Sequence, residues 1–416
     1  MLLDLSYLSY PLPPDIQRLY EAGDFARMDR VIRLRLDDPR VPEALKARLR
    51  VQTELAYEIL RAYPYTQAQM LEILQNHVKD FEEEELETLR DDGTLDWRYV
   101  NGEVRFKDNA LSGLLKTRAE YAARATDPEV KNGAKESARQ LHEIIAKMKA
   151  NGGVHARFEL HEQLTIRSDR LTPGETLRVH LPMPIVGAQV KSAALLGASH
   201  PVAFLAPEDE PQRTIYFELP YQPGMTVSAD VAYEIDAPYQ QPHARDVYAE
   251  QPVFDTEEQP PHVVFTPYLR ALAKEIVGDE TNALLKARKI YDFITTQAVY
   301  RFMPPYLTVT NIPEYFLSGL RGDCGVQAIT FVTLCRLCGV PAQWQSGLYT
   351  KPDSAGHHDW ARFYVAPFGL LVRRLGLSRG RSGSLEFLFR QPRAVAHADV
   401  QRVPAGVQPA AQVPAV

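Results

Sequence analysis

The stretch Gly319-Leu320-Arg321-Gly322-Asp323-Cys324-Gly325-Val326-Gln327-Ala328-Ile329-Thr330-Phe331-Val332-Thr333-Leu334-Cys335-Arg336-Leu337-Cys338-Gly339-Val340-Pro341 decides the fold. From Gly325 to Cys338 it is apolar almost all round, and Gly339 and Pro341 end it. Such a segment predicts a helix buried in a core, with Cys324 in its first turn. A helix N-terminus carries positive partial charge and free N–H groups, which favour thiolate over thiol. A backbone N–H at the same end can hydrogen-bond an oxyanion that develops on an attacked carbonyl, and Gly325 lets a substrate approach closely.

The segment after this helix supplies a partner. Gln343 to Leu348 reads as a strand, Lys351 to His357 as an exposed loop, and His358 opens a second strand, His358-Asp359-Trp360-Ala361-Arg362-Phe363-Tyr364-Val365. Alternation puts His358, Trp360, Arg362 and Tyr364 on one face and Asp359, Ala361, Phe363 and Val365 on the other. A helix-borne cysteine facing a strand-borne histidine suits a thiol nucleophile. The imidazole takes the thiol proton, holds the thiolate as an ion pair, and later protonates the leaving amine. An acid normally orients that imidazole from the next strand. Some fifteen residues past His358, Arg373 and Arg374 stand where it is expected, so the third member is unassigned. Asp359 does not substitute, because alternation turns it away from His358.

The GDCG that opens the helix, the GVPAQWQSG after it and the H-D-W of the following strand resemble the transglutaminase-like superfamily of papain-related Cys-His-Asp enzymes. The resemblance is most specific over residues 263–368. It implies Cys324 as nucleophile and His358 as base, attacking a carboxamide or peptide carbonyl of a peptide or protein substrate to give a thioester. Hydrolysis or amine transfer would follow. His357 is the poorer candidate, since the family places its histidine two residues before the tryptophan. No cofactor is implied, and neither is calcium, because no acidic cluster with ligand spacing is visible.

The rest of the chain predicts an α+β multidomain protein. Its 416 residues allow two or three domains, and 45% apolar with 24% charged residues is ordinary globular composition. Residues 1–152 read as helices with a small hairpin at 97–106 about Asn101-Gly102. The run Glu82 to Glu85 reads as a solvated face of one helix running from about Thr66 to Gly93. Residues 153–236 alternate with a period of two and predict a β-sandwich, a domain resembling one that precedes the core in some bacterial members of the family. Its histidines, His155, His161 and His180, lack companions for a metal. Residues 237–262 form a Pro-, Gln- and acid-rich linker or strap, and 263–369 the core. Cys335 and Cys338 have CxxC spacing without two further ligands, so core packing is expected of them and no metal.

A net charge of −6 leaves no basic excess for nucleic acid. No 18-residue apolar run predicts a membrane span, the start lacks a basic signal region, and the three cysteines suit a reducing compartment, so a cytoplasmic location is expected. The tail 370–416 changes composition abruptly into an Arg-rich and then Ala/Pro/Val/Gln-rich end without lysine. A one-base shift of frame from about Gly369 permits Trp-Phe-Ala-Asp-Trp-Ala-Phe-Arg-Gly, with an Asp across the codons of Arg374 and Leu375. The tail is therefore read as out of frame or disordered, and the core as lacking its last strands and inactive as written. The alternative function is a non-catalytic binding or scaffold protein on the same fold.

Overall fold

Helices build most of the first third of the chain. Helices α1 (Pro14–Glu21), α2 (Phe25–Asp37) and α3 (Glu43–Ala62) bury Ile16, Met28, Ile32, Leu49 and Ile59 together. This computed structural model describes residues 4–373 except 168–170, 188, 211–212 and 352–353, together with 397–398. After β1 (Tyr65–Thr66) the single helix expected up to Gly93 is instead two, α4 (Gln67–His77) and α5 (Glu83–Asp91). The break has a local cause. Asp80 takes a left-handed φ of 51°, Phe81 turns inward, and Glu82 and Glu85 form a capping box that starts a new helix. The acidic run is thus partly structural, since Glu85 also pairs with Arg124 at 2.6 Å.

Strands β2 (Trp97–Val100) and β3 (Glu103–Phe106) meet at Asn101-Gly102, whose φ values of 52° and 88° suit a tight hairpin turn. Helices α6 (Ala110–Thr117), α7 (Ala119–Arg124) and α8 (Pro128–Asn151) follow, the last ending at Gly152 with φ 73°.

Strands β4 (Gly153–Thr165), β5 (Thr176–Pro182), β6 (Val190–Ala198), β7 (Phe204–Leu205), β8 (Thr214–Pro220) and β9 (Thr226–Pro238) form two antiparallel sheets, β4-β9-β6 and β5-β8-β7. Val179, Leu181, Phe217, Val227 and Val231 fill the space between them. His161 meets Asp230 at 2.7 Å on the surface, and His180 lies against Tyr216 and Thr214. Among the described residues no group of three or more His, Cys, Asp or Glu could hold a metal ion, and no helix is long and apolar enough to cross a membrane.

The segment before the core is a strap. Gln251 accepts from Ala366 N at 2.8 Å, Phe254 meets the Tyr364 ring edge-on, and Glu257 O accepts from Arg336. Helix α9 (Pro267–Val277) runs from the Thr266 cap to Gly278, and α10 (Ala283–Gln297) from the Asn282 cap. Strand β10 (Val299–Tyr300), helix α11 (Ile312–Gly319) and strand β11 (Arg321–Gly322) lead to α12 (Cys324–Leu337). Then come β12 (Ala342–Lys351), β13 (Ser354–Val365) and β14 (Gly369–Arg373), with β15 (His397–Ala398) beyond β12 in an antiparallel sheet of order β14-β13-β12-β15.

The fold corrects two expectations. The exposed loop placed at Lys351–His357 is the close of a long hairpin, with Leu348 opposite His357 and Lys351 opposite Ser354. The fold does not stop at Gly369: β14 pairs Gly369 to Arg373 against Val365 to Ala361, and Leu371 is buried in the main core. Leu371 extends the apolar face that the hairpin turns toward α12, which is why the strand joins. The Asp expected across the codons of Arg374 and Leu375, and nearly all of the tail read as out of frame, lie outside the described residues.

Candidate active site

Helix α12 forms where it does because its start is capped and its end is forced. Asp323 accepts from Val326 N at 3.1 Å. At the other end Gly339 takes φ 75°, and Val340 N reaches back to Cys335 O at 2.9 Å. Between them Val326, Ala328, Phe331, Val332 and Leu334 are buried, as an all-round apolar helix requires. The helix lies across β12 and β13, with the Phe331 and Phe363 rings 5.7 Å apart edge-on. Cys324 is half-buried at the capped end, Cys335 is buried and Cys338 half-buried in the same helix.

The face of β13 that meets α12 is the apolar one. Ala361, Phe363 and Val365 are buried against the helix, and Asp359 extends that face toward its N-terminus. The Cys324 thiol accordingly donates toward Asp359 Oδ2, with Sγ at 3.8 Å. His358 projects from the opposite face, its ring 6.4 Å from Trp360 and 6.3 Å from Tyr349. The helix-borne cysteine does reach β13, but on the Asp359 face, so the expectation that it faces His358 is corrected; Asp359 is turned away from His358, as alternation requires. Burying Phe363 and Val365 against the helix stabilises this placement by roughly 1.5–3 kcal/mol each, with Ala361 packed beside them. The His358 face also holds Trp360, whose Nε1 donates to Gln345 Oε1 at 2.9 Å. His357 is exposed, and Arg373 stands opposite Ala361 at the end of β14.

Besides Asp359, two more side chains, Tyr306 and Lys116, converge on the thiol. Tyr306, from the Pro-rich loop after β10, donates its hydroxyl to Asp323 Oδ1, the oxygen that also caps α12. A Cβ built on Gly325 would stand 2.3 Å from that hydroxyl and 2.6 Å from Asp359 Oδ2, so both side chains close over the first turn. Gly325 is required there for this close approach. Lys116, from α6 of the first third, lies 3.9 Å from the Tyr300 ring centroid and adds a positive charge to the neighbourhood of Cys324. Sequence reading missed all three. The apolar period of β13 signals Asp359, whereas nothing local marks Tyr306 or Lys116.

The electrostatics oppose a thiolate. Burial first, then the Asp359 and Asp323 charges, push the Cys324 thiol from 9.0 up to about 12. The Asp359 backbone N–H and Lys116 pull it down less strongly. Burial also raises the Asp323 carboxyl, against the hydrogen bonds it receives from Tyr306 and backbone N–H groups. Burial of the Tyr306 phenol, with Asp323, Asp359 and Cys324 beside it, raises it well above its ordinary value.

The core adjoins the helical first third along the segment before α12. Arg301 donates to Gly93 O at 3.2 Å and Tyr315 Oη at 2.9 Å and lies 3.7 Å from Asp96. A cleft of ≈ 860 Å³ opens between the two parts, lined by Tyr63, Trp97, Arg98, Tyr268, Val309 and Tyr315 among others.

The sequence model of the transglutaminase-like superfamily matches residues 270–372, about a quarter of the chain. No curated protein matches the chain significantly. Among solved structures, a candidate cysteine protease from Cytophaga hutchinsonii is similar, with TM-score 0.37 and 16% identity over 55% of this chain and 79% of that one. The periplasmic domain of TgpA from Pseudomonas aeruginosa is similar with TM-score 0.27 and 14% identity, covering 55% of this chain and 90% of that one.

Proposed function

We propose that the transglutaminase-like domain at residues 270–372 makes this chain a cysteine enzyme that attacks a carboxamide or peptide carbonyl. The observation that carries the reading is Cys324 at the capped N-terminus of a buried helix, packed against the strand that holds His358. In the reaction His358 removes the thiol proton and Cys324 Sγ bonds to the carbonyl carbon. The C–N bond then breaks, the amine leaves with the proton from the imidazolium, and a thioester remains. Water or a second amine then takes the acyl group. Peptides or protein side chains are the substrates.

In the described arrangement Asp359 lies beside the thiol, whose protonated form is favoured. For His358 to serve as the base, the end of β13 ahead of Ala361 has to turn, and along that end it is paired to β12, with Gly347 opposite His358 and Ser346 opposite Asp359. This is also where an acid-bearing strand would orient the imidazole.

The test is mass spectrometry of an acyl adduct on Cys324 after incubation with carboxamide-bearing peptides. The adduct is expected in the parent chain, absent in Cys324→Ala and much reduced in His358→Ala. Amidase or transfer activity that survives Cys324→Ala sinks the assignment. The neutral thiol beside a carboxylate favours a second reading, a non-catalytic binding protein on this fold. That reading gains if no adduct forms and Cys324 reacts with an iodoacetamide probe no faster than a free thiol.

A further inference from the structure

We infer that Tyr306 is a latch on the candidate nucleophile: its hydroxyl, held by Asp323 above Gly325, keeps Cys324 closed to substrate and to base. The inference rests on the reading of Cys324 as the reactive group, and it assigns a positioning residue to that site.

The geometry is specific. Asp323 Oδ1 receives both the Val326 N–H and the Tyr306 hydroxyl, so one carboxylate oxygen fixes the start of the helix and the loop above it. The hydroxyl and Asp359 Oδ2 both lie within 2.6 Å of the point where a Gly325 Cβ would be. A substrate carbonyl approaching Sγ along the first turn of α12 needs that space. Tyr306 belongs to a three-residue 3-10 turn, Tyr306–Thr308, closed by the Thr308 N–H on Pro305 O, and its ring packs against the main core. The charged and titratable groups facing the thiol are Asp323 on its own helix, Asp359 from β13, Tyr306 from the loop and Lys116 from α6. Tyr306 is the member that reaches the site from a loop, while Asp323, Asp359 and Lys116 are set by a helix cap, a strand and a helix.

Two substitutions release the latch to different extents. Tyr306→Phe removes the hydrogen bond and keeps the ring. Tyr306→Ala removes the ring with the hydroxyl and leaves the space above Gly325 open. The readout is the native-state rate of iodoacetamide labelling at each of the three cysteines, resolved by peptide mass. Tyr306→Phe is expected to raise Cys324 labelling about tenfold, the shift that loss of one hydrogen bond to a charged acceptor produces in an opening equilibrium, and Tyr306→Ala at least as much. Cys335, buried in the same helix, is expected to stay at the parental rate. Equal acceleration at Cys335 would mean general loosening and would overturn the latch, as would parental labelling of Cys324 in both variants. If one variant fails to fold, the other decides. Acyl-adduct formation on Cys324 is measured separately, so a failed latch leaves the nucleophile assignment standing, and loss of the adduct leaves the labelling result readable.

Discussion

Asp359 Oδ2 stands 3.8 Å from Cys324 Sγ, while its chain neighbour His358 faces the other side of the sheet toward Trp360 and Tyr349. A carboxylate beside a thiol does the opposite of what an imidazole would do: it repels the thiolate. The site therefore stores a protonated sulfur, and its chemistry depends on how that charge balance is altered.

Asp359→Asn removes the repelling charge and leaves the shape nearly unchanged. The Cys324 midpoint, pushed up to about 12, is expected to fall by on the order of one unit, giving roughly tenfold more thiolate near neutral pH. The pH profile of alkylation reads this directly. An unchanged profile would mean that the Asp359 charge does not set the thiol's pKa.

The same shift makes stability depend on pH. A thiol whose folded value is raised from 9.0 to about 12 contributes stability that is complete below 9 and declines as pH climbs toward 12, because the unfolded chain ionises first. Cys324→Ala removes that term. Chemical denaturation of parent and variant from pH 8 to pH 11 is expected to show the parent losing stability faster. Parallel curves would contradict a buried neutral thiol.

Arg301 joins the core to the helical first third through Gly93 O, Tyr315 and Asp96. Arg301→Ala leaves Asp96 without this cation and is expected to cost about 2 kcal/mol, since hydrogen bonds to charged groups are worth about 1.5–3 kcal/mol. Thermal melting measures the loss. A melting temperature within one degree of the parent would show the contact to be dispensable.

The coding DNA tests the reading of the tail. The family match runs to residue 372 and β14 to Arg373, so a shift of frame from about Gly369 also rewrites that strand. Sequencing the codons from Gly369 to Arg374 is expected to reveal an Asp in an alternative frame across Arg374 and Leu375. Deleting one base near Gly369 should then raise both solubility and Cys324 reactivity. The idea fails if neither alternative frame contains an Asp there.

What the sequence by itself determined was local. Helix α12 was readable from Cys324, Gly339 and Pro341 because an apolar run and a glycine stop act within a few residues. The alternation of β13 was readable for the same reason, since period two is a property of the strand alone. Which face of that strand meets the helix was decided by tertiary packing. Ala361, Phe363 and Val365 bury most apolar surface against α12, and Asp359 is carried to the sulfur with them. The pattern contained that answer, but expecting a histidine at the thiol directed attention to the polar face. Tyr306 and Lys116 had no local signal at all. They reach Cys324 from a loop and from a helix about two hundred residues upstream, and only the closed chain brings such distant charges and hydroxyls into one site.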